Sequence, residues 1–176
     1  MTDTNFDPIK LTQSLIKCAS VTPKDDGAIE IVSKHLSEIG FDCYPLKFSG
    51  SNSYEVSNLF ATIGNQGKHF AYAGHTDVVP VGNEEAWKFP PFSAIIKDDK
   101  LYGRGSEDMK SSVACFISAT KRFIEKYEKI PGRLSFIITG DEERDSVNGT
   151  PKILEWASKN NYKFDHCLVG EPTSNK

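Results

Sequence analysis

The sequence predicts an α/β fold of three layers, with a mostly parallel sheet and helices on both faces. Two observations predict it. Short β-rich runs alternate with stretches whose apolar residues recur at helical spacing, as strand–helix–strand units require. A histidine and several carboxylates, His75, Glu142, Glu143 and Glu171, fall just past the ends of those runs, where open α/β sheets collect functional groups. A chain of 176 residues is long enough for one domain with a real core and too short for two, so residues 1–176 are read as one unit.

The elements follow in order. Asp7-Pro8 is a cap followed by proline, and Ile9, Leu15, Ile16 and Ala19 give one apolar face up to a stop at Thr22-Pro23. Ile29, Val32, Leu36 and Ile39 predict a second helix from Ala28 to Ile39, ended by Gly40 in a left-handed conformation. Asn58 to Ile63 and His69 to Ala73 are predicted strands around the turn Gly64-Asn65-Gln66-Gly67. Phe92 to Ile96 and Lys100 to Tyr102 flank Asp98-Asp99 as a hairpin leading into Gly103-Arg104-Gly105. From Met109 to Tyr127, a stripe including Val113, Phe116, Ile117, Thr120 and Ile124 predicts a long helix. Arg133 to Thr139 is a strand, Pro151 to Lys159 a helix, and His166 to Val169 the last strand.

Composition narrows the function classes. Lys and Arg total 21 against 24 Asp and Glu, and no basic run could track a phosphate backbone, so nucleic acid is not expected as a partner. Cys18, Cys43, Cys115 and Cys167 have no C-x-x-C spacing and are expected to be buried thiols in a reducing cytoplasm. Met1 to Lys10 lacks an apolar signal core and no stretch reaches membrane-spanning length, so a soluble cytoplasmic protein is expected.

The chemistry rests on the residues at the strand ends. An imidazole and carboxylate oxygens suit zinc, cobalt or manganese better than calcium, and the supply of carboxylates allows two ions. Asp77, two residues past His75, points to the same side of an extended segment and could accept the second imidazole N–H, fixing the tautomer. Asp108 follows a glycine-rich bend and could bridge two ions. Glu142 and Glu143 diverge if extended, so that one could ligate metal while the other acts as general base for amide hydrolysis.

Plainer readings exist for each residue. Asp108 could be the N-cap of the long helix, Glu142-Glu143 a solvated turn, and Glu171 a loop residue before Pro172. His35 and His69 read as surface residues and His166 as structural. Trp87 with Phe89-Pro90-Pro91-Phe92 is either a packed loop or a pocket wall. A phosphate-loop reading of Gly103-Arg104-Gly105 fails because the motif is incomplete and Glu107 and Asp108 stand where phosphate would sit.

Gly74-His75-Thr76-Asp77-Val78-Val79-Pro80, Gly103-Arg104-Gly105-Ser106-Glu107-Asp108-Met109-Lys110, Gly140-Asp141-Glu142-Glu143 and Gly170-Glu171-Pro172, in that order, resemble the M20 metallopeptidases. Glu84-Glu85-Ala86-Trp87-Lys88 before Pro90-Pro91-Phe92, and Asn148-Gly149-Thr150, are similar to the branch of that family acting on N-succinyl-LL-2,6-diaminopimelate, more than to acetylornithine deacetylases and dipeptidases. The resemblance spans essentially the whole chain. It implies the N-terminal portion of a di-zinc aminopeptidase-like catalytic domain, and hydrolysis of that substrate to succinate and diaminopimelate on the way to lysine, with two zinc or cobalt ions. His75 and Glu171 would hold one ion, Asp108 would bridge, Glu143 would hold the second, Glu142 would be the base and Asp77 would orient His75.

Two departures accompany it. Ser111 stands after Lys110 where the family commonly has glycine, which a helix start tolerates. The family also continues past the position of Lys176 through a lid and dimerisation domain, absent here, before completing the catalytic sheet, and the second ion's histidine would lie in that part. A full-length relative is expected to be a homodimer. The chain alone is expected to expose a strand edge, to associate, to bind one ion weakly and to turn over little substrate. The alternatives are another M20 deacylase or peptidase, such as an acetylornithine deacetylase, or a non-catalytic metal-binding fragment.

Overall fold

In the computed structural model, which describes residues 6–173, the order is α1 (Pro8–Lys17), α2 (Ala28–Glu38), β1 (Asp42–Gly50), β2 (Ser53–Ile63), β3 (His69–His75), β4 (Ile95–Lys97), β5 (Lys100–Tyr102), α3 (Ser111–Tyr127), β6 (Arg133–Thr139), α4 (Thr150–Lys159) and β7 (His166–Val169). The five-stranded sheet has the order β1-β2-β6-β3-β7. It is mixed. The strands β6, β3 and β7 run parallel, whereas β1 pairs antiparallel with β2 and β2 with β6. The parallel expectation therefore holds for the half of the sheet that carries His75, and short connections turn the other half antiparallel. Residues 1–5, the start of the polar N-terminal stretch, lie outside the described residues, as do residues 174–176. No described helix is long and apolar enough to cross a membrane.

Strand alternation builds the three layers. Leu59 and Ala61 of β2, Tyr72 of β3, and Phe136 and Ile138 of β6 point to one face and pack with Leu11, Leu15, Val32, Leu36, Val113 and Ile117 from α1, α2 and α3. Their in-between neighbours Phe60, Ala71 and Ile137 point to the other face, where Ile153 and Ala157 of α4 cover them. Each large apolar side chain so buried contributes about 1.5–3 kcal/mol relative to exposure. Asp7 caps α1 by accepting the Ile9 N–H at 2.9 Å, and Gly40 follows α2 at φ +93°, as its sequence position predicts.

Several expectations change. The strand β1 is an element not predicted from the sequence: Tyr44, Leu46 and Phe48 alternate onto the side of Phe60 and Trp156, but Pro45 within the run argues against a strand, and an edge position accommodates it. The helix α3 begins at Ser111 rather than Met109, because Ser106–Lys110 forms a wide π-type turn in which Asp108 is extended. Cys18 is buried, but Cys115 and Cys167 are exposed. At the sheet edge all four residues of β7, including His166, are exposed, and Phe70, Leu168 and Val169 leave apolar surface open. An apolar cavity of about 540 Å³ lined by Phe70, Phe116, Phe123 and Ile130 opens near the starts of β3 and β6, at the opposite end of the strands from His75.

His69 is also buried, not at the surface. Its Nδ1 donates to the Lys163 carbonyl at 2.8 Å and its Nε2 stands 2.8 Å from Ser135 Oγ. Burial lowers its pKa, more than the hydrogen bond to Lys163 raises it. A histidine depressed in the folded state contributes stability above its unfolded value that is lost as pH falls through the folded value. Going from about pH 7 to about pH 5 should therefore destabilise the wild type more than His69→Gln, by at most about 1.4 kcal/mol per pH unit for one proton. Urea denaturation of both proteins at the two pH values checks this; parallel losses would contradict it.

Candidate metal centre at the sheet rim

The parallel register brings three segments to one rim. His75 ends β3 opposite Thr139, the last residue of β6, so the chain leaving β6 runs directly into Gly140-Asp141-Glu142-Glu143 beside the histidine. The Thr76 N–H donates to the Thr139 carbonyl at 3.0 Å, and the Gly170 N–H to the Ala73 carbonyl at 3.0 Å, which places Glu171 on the other side. Asp108 arrives from the wide turn. Its neighbour Met109 is fully buried, and its Sδ accepts the His75 main-chain N–H at 3.3 Å, anchoring that turn to the end of β3. The turn is entered through Gly105 at φ +78°, where a Cβ would come within 2.7 Å of Val78 Cγ1.

His75 is wholly buried, and its two nitrogens have different duties. Nδ1 lies 2.9 Å from the Asp77 main-chain carbonyl, an acceptor only, so Nδ1 carries the proton in the neutral ring. The Nε2 lone pair then faces Asp108 Oδ1 at 3.1 Å, Glu171 Oε1 at 3.4 Å and Glu142 Oε2 at 3.9 Å. Two groups, His75 with Asp108 and Glu143, and His75 with Glu142 and Glu171, have ligand atoms within 4.8 Å of one another and could hold a metal ion.

The electrostatics suit a cation. Burial alone would lower the His75 pKa, but Asp77, the hydrogen bond to its carbonyl, Glu171 and Glu142 together raise it. Burial, then the charge of Asp108, holds the Glu143 carboxyl above the usual range. Glu171 is raised by burial, with Asp108 and Glu142 adding to it. The two carboxyls resist ionising because they are partly buried and then because like charges crowd them, and a divalent ion would relieve that crowding. The donor set of one imidazole nitrogen with carboxylate oxygens fits zinc or cobalt.

The structure brings together all six residues singled out from sequence, with one change of role. The Asp77 carboxylate stands 3.5 Å from His75 Nδ1, so the imidazole proton goes to the carbonyl of Asp77 instead. That carboxylate is occupied: it accepts the Glu142 N–H at 3.1 Å, the Glu143 N–H at 3.1 Å and the Thr22 hydroxyl at 2.6 Å. Asp108 caps no helix, since the N-cap of α3 is Lys110. Either glutamate of the pair reaches ligand range by geometry.

Sequence reasoning missed the supports beneath these groups. Asp141 is buried and accepts the Tyr54 hydroxyl at 2.7 Å and the Asn148 N–H at 3.0 Å, holding the turn that carries the glutamates. Burial and then the bond to Asp141 push Tyr54 up to about 12, so it stays a neutral donor. Lys110 is buried with Nζ 2.9 Å from the carbonyls of Leu15 and Cys18 at the end of α1, and burial pushes it down to about 8. Trp87 belongs to a packed loop, its Nε1 donating to the Val81 carbonyl at 2.9 Å and its ring 5.1 Å below the Arg104 guanidinium. For Asp141 the only sequence signal is its place before two glutamates; for Lys110 it is a lysine inside an apolar helix start.

Known proteins are similar to this chain in sequence and in fold. The chain is 49% identical over 169 residues to a protein of Parvibaculum lavamentivorans, and 51% identical over 170 residues to one of Ehrlichia canis, both named succinyl-diaminopimelate desuccinylase. These alignments take in 96% of this chain but only 42% and 44% of those proteins, so the chain spans less than half the length of the curated relatives it matches. Among solved structures, human carnosine dipeptidase 1 superposes with a TM-score of 0.78 at 21% identity over 92% of this chain and 37% of that one. The M20 family metallo-carboxypeptidase Sso-CP2 of Sulfolobus solfataricus gives 0.77 at 23% identity over 93% of this chain and 37% of that one. At such identities these two establish the fold alone. The model of peptidase family M20/M25/M40 matches residues 71–176, which include every residue of the acidic rim, and the chain belongs to that family of hydrolases.

Proposed function

We propose that this chain forms part of a metal-dependent amidohydrolase that splits N-succinyl-LL-2,6-diaminopimelate into succinate and LL-2,6-diaminopimelate, a step toward lysine. The observation that carries the chemistry is the convergence of His75 Nε2 with Asp108, Glu142 and Glu171 at the rim. The names of the relatives at 49% and 51% identity support the substrate. His75 and Glu171 would hold one zinc or cobalt ion, Asp108 would bridge and Glu143 would hold a second. Ions held there would supply Lewis acidity, polarising the amide carbonyl and acidifying water.

The chain's own groups would do the rest. Glu142, with its side chain half exposed, can take a proton from the attacking water and pass it to the departing nitrogen as the C–N bond breaks. The acyl half then leaves as succinate and the nitrogen as a free amine. Asp77 would hold the imidazole through its carbonyl and both glutamates through its carboxylate, keeping their geometry fixed during turnover. A cytoplasmic setting and a homodimer belong to the same proposal; four unpaired thiols suit a reducing compartment.

The test is a comparison of substrates, using this chain joined to the remaining sequence of the Ehrlichia canis relative. Release of succinate from N-succinyl-diaminopimelate, lost with chelator and restored by zinc or cobalt, is the expected outcome. Faster cleavage of N-acetylornithine would move the assignment to another deacylase of the family. Cleavage of neither substrate would leave a metal-binding protein.

A further inference from the structure

The loop after α1 lies against the segment that follows His75. The Val78 N–H donates to the Ser20 carbonyl at 2.9 Å, Ser20 Oγ donates to the Thr76 carbonyl at 2.6 Å, and Val21 and Val78 form a parallel bridge. This short ladder sets Thr22 beside Asp77, where its Oγ1 donates to Oδ2 at 2.6 Å. Asp77 has no exposed side-chain surface, and its other donors are the main-chain N–H groups of Glu142 and Glu143. A carboxylate turns easily about its terminal torsion, so its orientation must come from its partners. Among the described residues Thr22 is the only side-chain hydroxyl that donates to that carboxylate, and it comes from outside the turn being held.

We propose that Thr22 is a positioning residue for the Glu142–Glu143 pair, acting through the Asp77 carboxylate. Its hydroxyl fixes the plane of that carboxylate, and the fixed carboxylate holds both glutamate amides at 3.1 Å and so aims their side chains across the rim. The consequence for metal binding rests on the reading of the rim as a metal centre; the effect on the two amides does not.

Amide exchange in metal-free protein separates the two. Thr22→Val should speed exchange of the Glu142 and Glu143 amides by about tenfold or more, with the amides of Phe136 to Ile138 unchanged. Thr22→Ala should do the same without a branched side chain, which covers a failure of the valine variant to fold. Thr22→Ser should restore protection. Unchanged exchange at Glu142 and Glu143, an equal rise along the whole of β6, or a serine variant as fast as the valine would each overturn the proposal. In a parallel Co²⁺ titration, loss of the hydroxyl should weaken binding about 10–100-fold, the range for residues that orient ligands, and serine should restore it. If the exchange result holds while the wild type takes up no Co²⁺, the metal-centre reading fails and the role of Thr22 stands.

Discussion

Glu142→Gln is expected to lower turnover of N-succinyl-diaminopimelate by about 10²–10⁴-fold, the usual worth of a positioned general base. Glutamine keeps the shape of the side chain and the main-chain N–H that Asp77 holds, but it cannot accept a proton. Affinity for divalent ions should therefore survive. Glu143→Gln should behave in the opposite sense, weakening the ion first and turnover in consequence. The comparison matters because both glutamates lie within ligand range of His75. Turnover and Co²⁺ titration on the same preparations, completed with the sequence of a relative, decide it: if Glu142→Gln loses the ion as well, the two roles are the reverse of those proposed.

His75→Ala should have the second large effect, about a hundredfold loss of Co²⁺ affinity in the 176-residue chain itself. The size follows from the roughly 10–16 kcal/mol of a four-ligand zinc site, which assigns about 3 kcal/mol to each ligand, or about two decades. His75 belongs to both groups that could hold an ion, so no other single ligand residue should cost as much. Isothermal titration of wild type and variant measures it. A variant that binds like the wild type would mean the ion sits on exposed carboxylates alone.

Much of this was legible because local pattern and site motif coincide. The strands Arg133–Thr139 and His166–Val169 and the helix ending at Tyr127 follow their apolar spacing directly. What could not be read depends on partners distant in sequence. His69 looks like a polar residue opening a strand, and only Lys163 and Ser135, 94 and 66 residues away, make it a buried one. Asp77 was legible as a neighbour of His75, yet its carboxylate is claimed by Thr22, 55 residues earlier, and by Glu142, 65 residues later. The edge strand β1 has the alternation Tyr44, Leu46 and Phe48, but Pro45 in its middle reads against a strand until the edge position that tolerates it is known. The motif residues thus named the rim, while the contacts that aim them lay beyond any sequence window.

The strand order also sets a timetable. The strand β3 is synthesised before both of its sheet neighbours, since β6 follows only after α3, and β7 only after α4. At roughly 5–20 residues per second on the ribosome, His75 waits on the order of 5–20 seconds for Glu171 to be made. Asp108, Glu142 and Glu143 are added in that interval, so the group of His75 with Asp108 and Glu143 is complete in sequence before the group that needs Glu171. Among the described donors to the Asp77 carboxylate, Thr22, made earlier still, is the one already present when Asp77 is made. The hold on Asp77 therefore begins with Thr22 and closes only when Glu142 and Glu143 have been made.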